Sequence, residues 1–392
     1  MNNLIEKLFL IYIFLISLSY NLKWFYIYGS FAYADILLPV LIFILVYKQK
    51  YKILPFQILL FLLFLLTAFS TYFSLFNYAT PSSMGYLLRA LYFLILFTLI
   101  CSIEIEREKV VKALTYGLTF SLTIGWFIWF TNPRFFAFSN VPMLHVLDTN
   151  FNAYVNRNET GLTASILSLI SFYALIYKRI LSNPAALIIF LFALSSSFLS
   201  FSRGSWVITI LGISTILFLR LRIKSVFFIS FLLLPLTLLV PIEGIGIFDL
   251  IFLRLESVAS NFYRYQYLID AIDIGFTNFF FGVGPGNYRE YAIQNDYLVT
   301  IDPHNTYLQY FAELGIFGLI FCFLIYFSLI FKSLREINYD NLYVILLTIF
   351  ICLAVDGLIS GLSLSMKLIY IFAGIAFNDK SSDAFKENKN EG

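Results

Sequence analysis

The sequence predicts an all-α, polytopic integral membrane protein with about 12 transmembrane helices and a large outward-facing loop that contains interfacial helices. Three observations carry this expectation. Of the 392 residues, 60% are hydrophobic and only 12% charged, with a mean hydropathy of +0.85; a soluble domain carries about a quarter charged residues. Apolar runs recur at lengths close to those that cross the ~30 Å hydrocarbon core of a bilayer. Lys and Arg are also shared unequally between alternate connections.

Taken in order, the runs lie at 6–20, 34–47, 53–73, 86–102, 113–131, 162–177, 184–199, 206–220, 225–241, 308–331, 342–359 and 364–377. The first begins as Leu8 to Tyr20 behind Lys7, and Ala32-Tyr33-Ala34 has the small-x-small form of a signal-peptidase site. The bulky stretch Asn21 to Phe31 between them is too long for a signal-peptide tail, so an uncleaved first helix is expected. The shorter runs, near Asp35 and Ser365, are compatible with tilted or re-entrant segments.

Counting the connections on one side gives Lys7; Lys48, Lys50, Lys52; Arg107, Lys109, Lys112; Lys178, Arg179; Arg220, Arg222, Lys224; Lys332, Arg335; and Lys380, Lys386, Lys389. The other side holds Lys23, Arg134, Arg157, Arg203, Arg254, Arg264, Arg289 and Lys367, with Arg89 inside a run. Positive residues are retained in the cytoplasm, so both termini are expected inside. The expected organisation is helices 1–5 with a first outer loop over 1–161, helices 6–9 over 162–241, a large outer loop over 242–307, helices 10–12 over 308–377 and a cytoplasmic tail over 378–392.

The net charge of +3 is small and its basic residues are scattered, which argues against a nucleic-acid partner. Cys101, Cys322 and Cys352 each fall in or beside an apolar run without metal-ligand spacing and are expected to act as small hydrophobes.

The loop 242–307 is too long for a simple connection and too rich in aromatic and aliphatic residues for disorder. Within it Val258, Phe262, Tyr265, Ile269 and Ile272 recur at helical spacing, the stripe of a helix lying flat in the interface, with Arg264 off that stripe. Gly282-Val283-Gly284-Pro285-Gly286-Asn287 must end that helix. Its glycines lack the Lys-Ser/Thr of a nucleotide loop, leaving a tight turn or an anion-binding nest.

Arg157, Arg203, Arg264 and His304 share the outer face by topology, with Arg289 a fifth position. An arginine near lipid meets a carboxylate, a carbonyl or an anionic ligand, or else snorkels to water. Guanidinium groups suit phosphate, so several of them converging would form a pyrophosphate site. Arg203 sits in the short turn Phe201-Ser202-Arg203-Gly204-Ser205, where glycine permits close backbone approach. His304 can exchange a proton near neutral pH; Pro303 sets the start of the following helix and Asn305 adds a second polar group. His145 has no such setting and is expected to be structural. Asp270 and Asp273 share a helical face, expected to be solvated rather than a metal site. Asp356 fits either an ion path or, beside Gly357, a helix contact.

The run His304-Asn305, nine residues, then Gly315-Ile316-Phe317-Gly318 resembles the signature shared by O-antigen ligases and O-antigen polymerases. Arg264 followed by Phe281-Gly282-Val283-Gly284-Pro285-Gly286-Asn287-Tyr288 is similar to the run that precedes it. Ser202-Arg203-Gly204 resembles the arginine opening the eighth span, and Asn156-Arg157-Asn158-Glu159 the polar start of the sixth. The resemblance covers about 150 to 330. It implies a glycosyltransferase of the bacterial inner membrane, acting on its outer face. Such an enzyme moves a glycan from an undecaprenyl-pyrophosphate-linked donor to a lipid A-core sugar in a ligase, or to another lipid-linked repeat in a polymerase. No cofactor, metal or ATP is implied. On this reading His304, Arg203 and Arg264 are catalytic, and Arg157, Arg289, Asn305 and Asn158 bind pyrophosphate or acceptor. A lipid-linked glycan transporter is the competing class, and it predicts inverted repeats that the sequence does not display.

Overall fold

The computed structural model describes residues 2–18, 26–28, 31–47, 54–77, 81–103, 105–131, 134–135, 142–143, 157–200, 202–221, 258–297, 303–359 and 367–378. The described chain is overwhelmingly helical. Its helices are α1 (Asn2–Leu18), α2 (Leu37–Tyr47, after a 3-10 turn at Tyr33–Ile36), α3 (Pro55–Asn77), α4 (Pro81–Ser102) and α5 (Arg107–Thr131). They continue with α6 (Arg157–Tyr177), α7 (Asn183–Leu199), α8 (Arg203–Leu221), α9 (Val258–Thr277), α10 (Tyr288–Gln294), α11 (Thr306–Glu336), α12 (Leu342–Asp356) and α13 (Lys367–Phe377). Two minimal antiparallel ribbons, Tyr26–Tyr28 with Phe31–Ala32 and Arg134–Phe135 with Pro142–Met143, interrupt the helical pattern.

Each expected apolar run coincides with a described helix except the ninth, 225–241, which lies outside the described residues, as does His145. Among the described residues, Pro55–Ser74, Met84–Ser102, Arg107–Phe127, Asn158–Tyr177 and Thr306–Glu336 are long and apolar enough to cross a membrane. The other apolar helices, such as Leu342–Asp356 and Lys367–Phe377, are shorter.

The chain divides into two compact units. The first comprises 1–41, 105–257 and 337–352 and is centred on α6, 78% of whose apolar window is buried. Small residues let its helices approach closely. A Cβ on Gly212 would strike Leu169, and one on Gly117 would meet Ser17 Cβ at 2.7 Å. Ser165, Ser197 and Thr209 join α6, α7 and α8 through hydroxyl contacts of 2.9–3.0 Å. Buried hydroxyls in an apolar bundle must find such partners, and here they fix the helix register.

At one end of this unit Arg107, Lys109 and Arg179 are ion-paired. Arg179 Nε donates to Glu108 Oε1 at 2.6 Å and Arg179 Nη1 to Asp340 Oδ1 at 2.9 Å. Arg107, 4% exposed, lies 3.6 Å from Asp340 Oδ2 and 5.1 Å from the centroid of the Tyr343 ring. Lys109 pairs with Glu6 at 2.9 Å. The residues before α5, between α6 and α7, and between α11 and α12 therefore meet at one end, together with the start of α1. These are segments that the alternation of basic connections is expected to put on one side.

The second unit comprises 42–104, 258–336 and 353–392. Here α4 packs on α13 through Phe93 and Tyr370, stacked at 4.1 Å, and Asn378 Nδ2 donates to the carbonyls of Ile100 and Ile103. α9 lies along the first part of α11. Its buried face holds Asp270, Ala271 and Ile274, whereas Tyr265, Ile269 and Ile272 of the expected apolar stripe point away from the protein and are exposed. An interfacial helix would turn such a face toward lipid.

Candidate functional site

Pro303 and Asn305 fix His304 between α11 and the end of α12. Asn305 Oδ1 accepts the Leu308 amide at 3.0 Å and its carbonyl accepts Gln309 N at 2.9 Å, so Asn305 is the N-cap of α11. Its Nδ2 donates to Leu358 O at 3.3 Å, Thr306 N to Gly357 O at 2.7 Å and Tyr307 Oη to Ala354 O at 2.9 Å. Asn305 thus anchors the backbone beside the histidine. His304 itself has φ 35°, a left-handed conformation uncommon for a side-chain-bearing residue. Such strain persists only where neighbours over-determine it. Its half-buried ring meets Tyr267 of α9 edge-on, with centroids 5.8 Å apart.

Tyr267 is the residue sequence reasoning missed. The available signal was its spacing: it lies three residues after Arg264, hence on the neighbouring turn of the same helical face. The Arg264 backbone is therefore one turn from the residue that touches His304.

The glycine run answers the choice between nest and turn for three of its amides. Val283 N donates to Ala312 O at 3.0 Å, Gly284 N to Glu313 O at 2.9 Å and Asn287 N to Gly284 O at 3.2 Å. Those donors are consumed within the protein, so the run is a docking turn. Gly282 and Gly284 adopt φ 67° and 95°, and a Cβ on Gly282 would occupy the Glu313 carbonyl. On the facing side, Gly315 (φ 69°, ψ −161°) interrupts α11, and Ile316 N donates to Phe279 O at 2.7 Å. At 1.5 Å per residue the 31-residue α11 would extend ~46 Å. The break redirects it after its first turns, and Ser70 of α3 donates to Phe281 O at 3.0 Å across the joint.

In the first unit, Arg157 and Arg203 are the first residues of α6 and α8. Those helix starts touch: a Cβ on Gly161 would strike Ser205 Oγ and Ser200 Oγ, and Ser165 Oγ donates to Ser205 O at 3.0 Å. Asn158 is the next residue of α6 and half-buried. The structure thus brings together the backbones of Arg157 and Arg203 in one unit, and those of Arg264, His304 and Asn305 in the other. Arg289, second in α10, is exposed on that unit.

Other candidates resolve differently from expectation. Asp270 is buried, not solvated: it is only 4% exposed, and Gln266 Nε2 donates to its Oδ1 at 2.8 Å. Asp273 is exposed and accepts Tyr297 Oη at 2.5 Å. Burial and then this hydrogen bond raise the Tyr297 hydroxyl above its ordinary pKa, so it stays a donor. No cluster of three His, Cys, Asp or Glu able to hold a metal occurs among the described residues. Cys322 and Cys352 are buried thiols.

No curated protein matches the chain. Residues 185–323 match the family model described as O-Antigen ligase. The matched segment runs from α7 to α11 and includes Arg203, Arg264, Arg289, His304, Asn305 and both glycine motifs, while Arg157 and Asn158 precede it. Over residues 185–323, therefore, the chain is similar to the O-antigen ligase family.

Proposed function

We propose that this protein is an O-antigen ligase-type glycosyltransferase of the bacterial inner membrane, moving a glycan from undecaprenyl pyrophosphate to a lipid A-core sugar hydroxyl on the outer face. The observation that carries the reading is the posture of His304. A strained backbone, a capped helix start and an aromatic wall aim one titratable group from a position that the charge count expects outside.

In this mechanism the acceptor hydroxyl attacks the anomeric carbon of the donor as the bond to the pyrophosphate oxygen breaks. His304 positions that hydroxyl and takes its proton. Arg203 and Arg264 stabilise the charge that develops on the departing pyrophosphate, with Arg157, Asn158 and Arg289 binding around it and Asn305 holding the histidine in place. The lipid-borne pyrophosphate is already a good leaving group, so neither ATP nor a metal is required. The outer segment 242–307 covers the reaction and excludes water. Both termini lie in the cytoplasm, about 12 spans connect them, and the ion-paired end of the first unit faces the cytoplasm; the convergence of alternate basic connections there supports that topology.

Purified protein in nanodiscs, given lipid-linked donor and core acceptor without a membrane gradient, should form product. H304A should lower the rate by about 10²–10⁴-fold. Undiminished transfer by H304A, or no transfer by the wild type, overturns the reading. In cells, deletion should leave polymer on the carrier and none on lipid A; single repeats on the core would instead assign the polymerase reaction.

A further inference from the structure

α4 is apolar enough to cross a membrane, yet it carries Arg89 two turns from its start. The guanidinium Cζ lies 4.8 Å from the centroid of the Tyr86 ring. Arg89 Nε is buried without a hydrogen-bond partner, and Arg89 makes no ion pair among the described residues. An arginine in this position is expensive to keep and usually marks a functional pathway or site. Contact with an aromatic face offsets part of the desolvation but does not use the donors at the guanidinium edge.

The surroundings extend this feature into a small cationic layer. Tyr86, Arg89 and Tyr92 recur every three residues on one face of α4, and α13 lies against that helix. Lys367, the first residue of α13 and only 3% exposed, places Nζ 4.8 Å from the Tyr92 centroid. Tyr370 lies one turn further along α13, which also packs against α11, the helix that carries Tyr310. Tyr310 is six residues beyond His304, so the layer belongs to the same unit as the histidine. On α11, Glu313 accepts a hydrogen bond from Gln309 at 3.3 Å.

A cation held by its face, with an edge donor idle in an apolar layer, matches a ligand that brings both negative charge and an apolar chain. We propose that Arg89, supported by Lys367, binds the phosphate-bearing head of a lipid, and that this lipid is the pyrophosphate-linked donor. The inference rests on the glycosyl-transfer reading and names a subsite for it that the outer-face arginines do not include. Under the charge count α4, α11 and α13 all start on the outer side, which puts Arg89, His304 and Lys367 on one side of the bilayer. The planar guanidinium would accept a phosphate edge-on while Tyr86 keeps its plane fixed.

The test measures binding of farnesyl pyrophosphate, farnesol and phosphatidylglycerol to protein in phosphatidylcholine nanodiscs. R89Q should raise the Kd for farnesyl pyrophosphate about tenfold to hundredfold, the equivalent of one lost charge-assisted hydrogen bond. R89K should recover part of it, K367Q should weaken binding less, and farnesol should be unaffected. H304A should bind as the wild type while losing transfer. Unchanged pyrophosphate binding by folded R89Q overturns the subsite whatever its transfer activity, and weakening for phosphatidylglycerol alone overturns the donor assignment. If R89Q unfolds, R89K carries the test, with wild-type affinity overturning the proposal. Transfer by H304A would overturn the reaction reading and leave the binding result standing.

Discussion

The amide of Ile316 donates to the carbonyl of Phe279 at 2.7 Å, closing a joint in which two glycine-bearing segments lock backbone to backbone. The break in α11 at Gly315 exposes the helical groups that the turn after α9 then satisfies. Each glycine leaves room for the other segment's carbonyl. G315A would place a Cβ 2.6 Å from Phe279 O and against the Phe280 carbonyl, at a φ that disfavours side chains; G282A would drive into the Glu313 carbonyl. Each should lower stability by about 1–3 kcal/mol. Because both open one joint, the double variant should lose less than the two losses combined, which thermal unfolding of the purified variants in detergent would check.

His304 and Tyr267 yield a second expectation. The ring contact needs no hydroxyl, so Y267F should retain transfer near the wild-type rate and Y267A should lose about tenfold or more, since misplacement of a catalytic group by an ångström is enough. N305A should remove the α11 cap and lower stability by about 1 kcal/mol. N305D keeps the capping oxygen but not the donor to Leu358, so it should restore stability more fully than activity. Parallel melting and single-turnover assays separate the two effects; equal restoration of both would reduce Asn305 to a cap.

How much of this could be read from the chain alone varies with the range of the interaction. His304, Gly315 and Gly318 are local features: a proline, a histidine and an amide before an apolar run, then small residues at fixed spacing. That Gly282 meets Glu313 is a pairing across thirty residues, invisible without the fold. Asp270 misled for the same reason: its spacing from Asp273 suggested a shared wet face, but the fold buries Asp270 and leaves Asp273 exposed. Arg179 reads as an ordinary charge of a basic turn because nothing local indicates that it meets Asp340, at a sequence separation of 161. Arg89 was visible as a charge inside an apolar run, but its aromatic setting required α13 as well as α4.

Gly161 controls how closely the helices that begin at Arg157 and Arg203 approach. The atoms nearest to a Cβ there would be the hydroxyls of Ser205 and Ser200 and the Cβ of Ser205. Rotation of the two serines can relieve part of that clash, so G161A should be mild. G161V adds two branches that serine rotation cannot accommodate, and overpacking of this kind costs about 1–3 kcal/mol. If both arginines serve transfer, G161V should reduce turnover well beyond its effect on folded yield, with donor binding weakened. A fall in turnover matched by an equal fall in folded protein would leave the joint purely structural.

Asp340 ties three connections together and also caps α12, its Oδ1 accepting Leu342 N at 2.9 Å. The two roles can be separated by chemistry. D340N keeps an oxygen for Leu342 but gives up the charge that Arg179 and Arg107 face, whereas D340A gives up both. Arg179 and Asp340 remain 34% and 23% exposed, so screening limits their pairing to about 1 kcal/mol or less. The cap should contribute about 1 kcal/mol more. D340N should therefore lie between wild type and D340A in thermal stability. Raising salt toward 1 M, where the Debye length falls to about 3 Å, should narrow the wild-type to D340N gap and leave the D340N to D340A gap largely unchanged. A D340N gap insensitive to salt would mean that the carboxylate acts through hydrogen-bond geometry rather than charge.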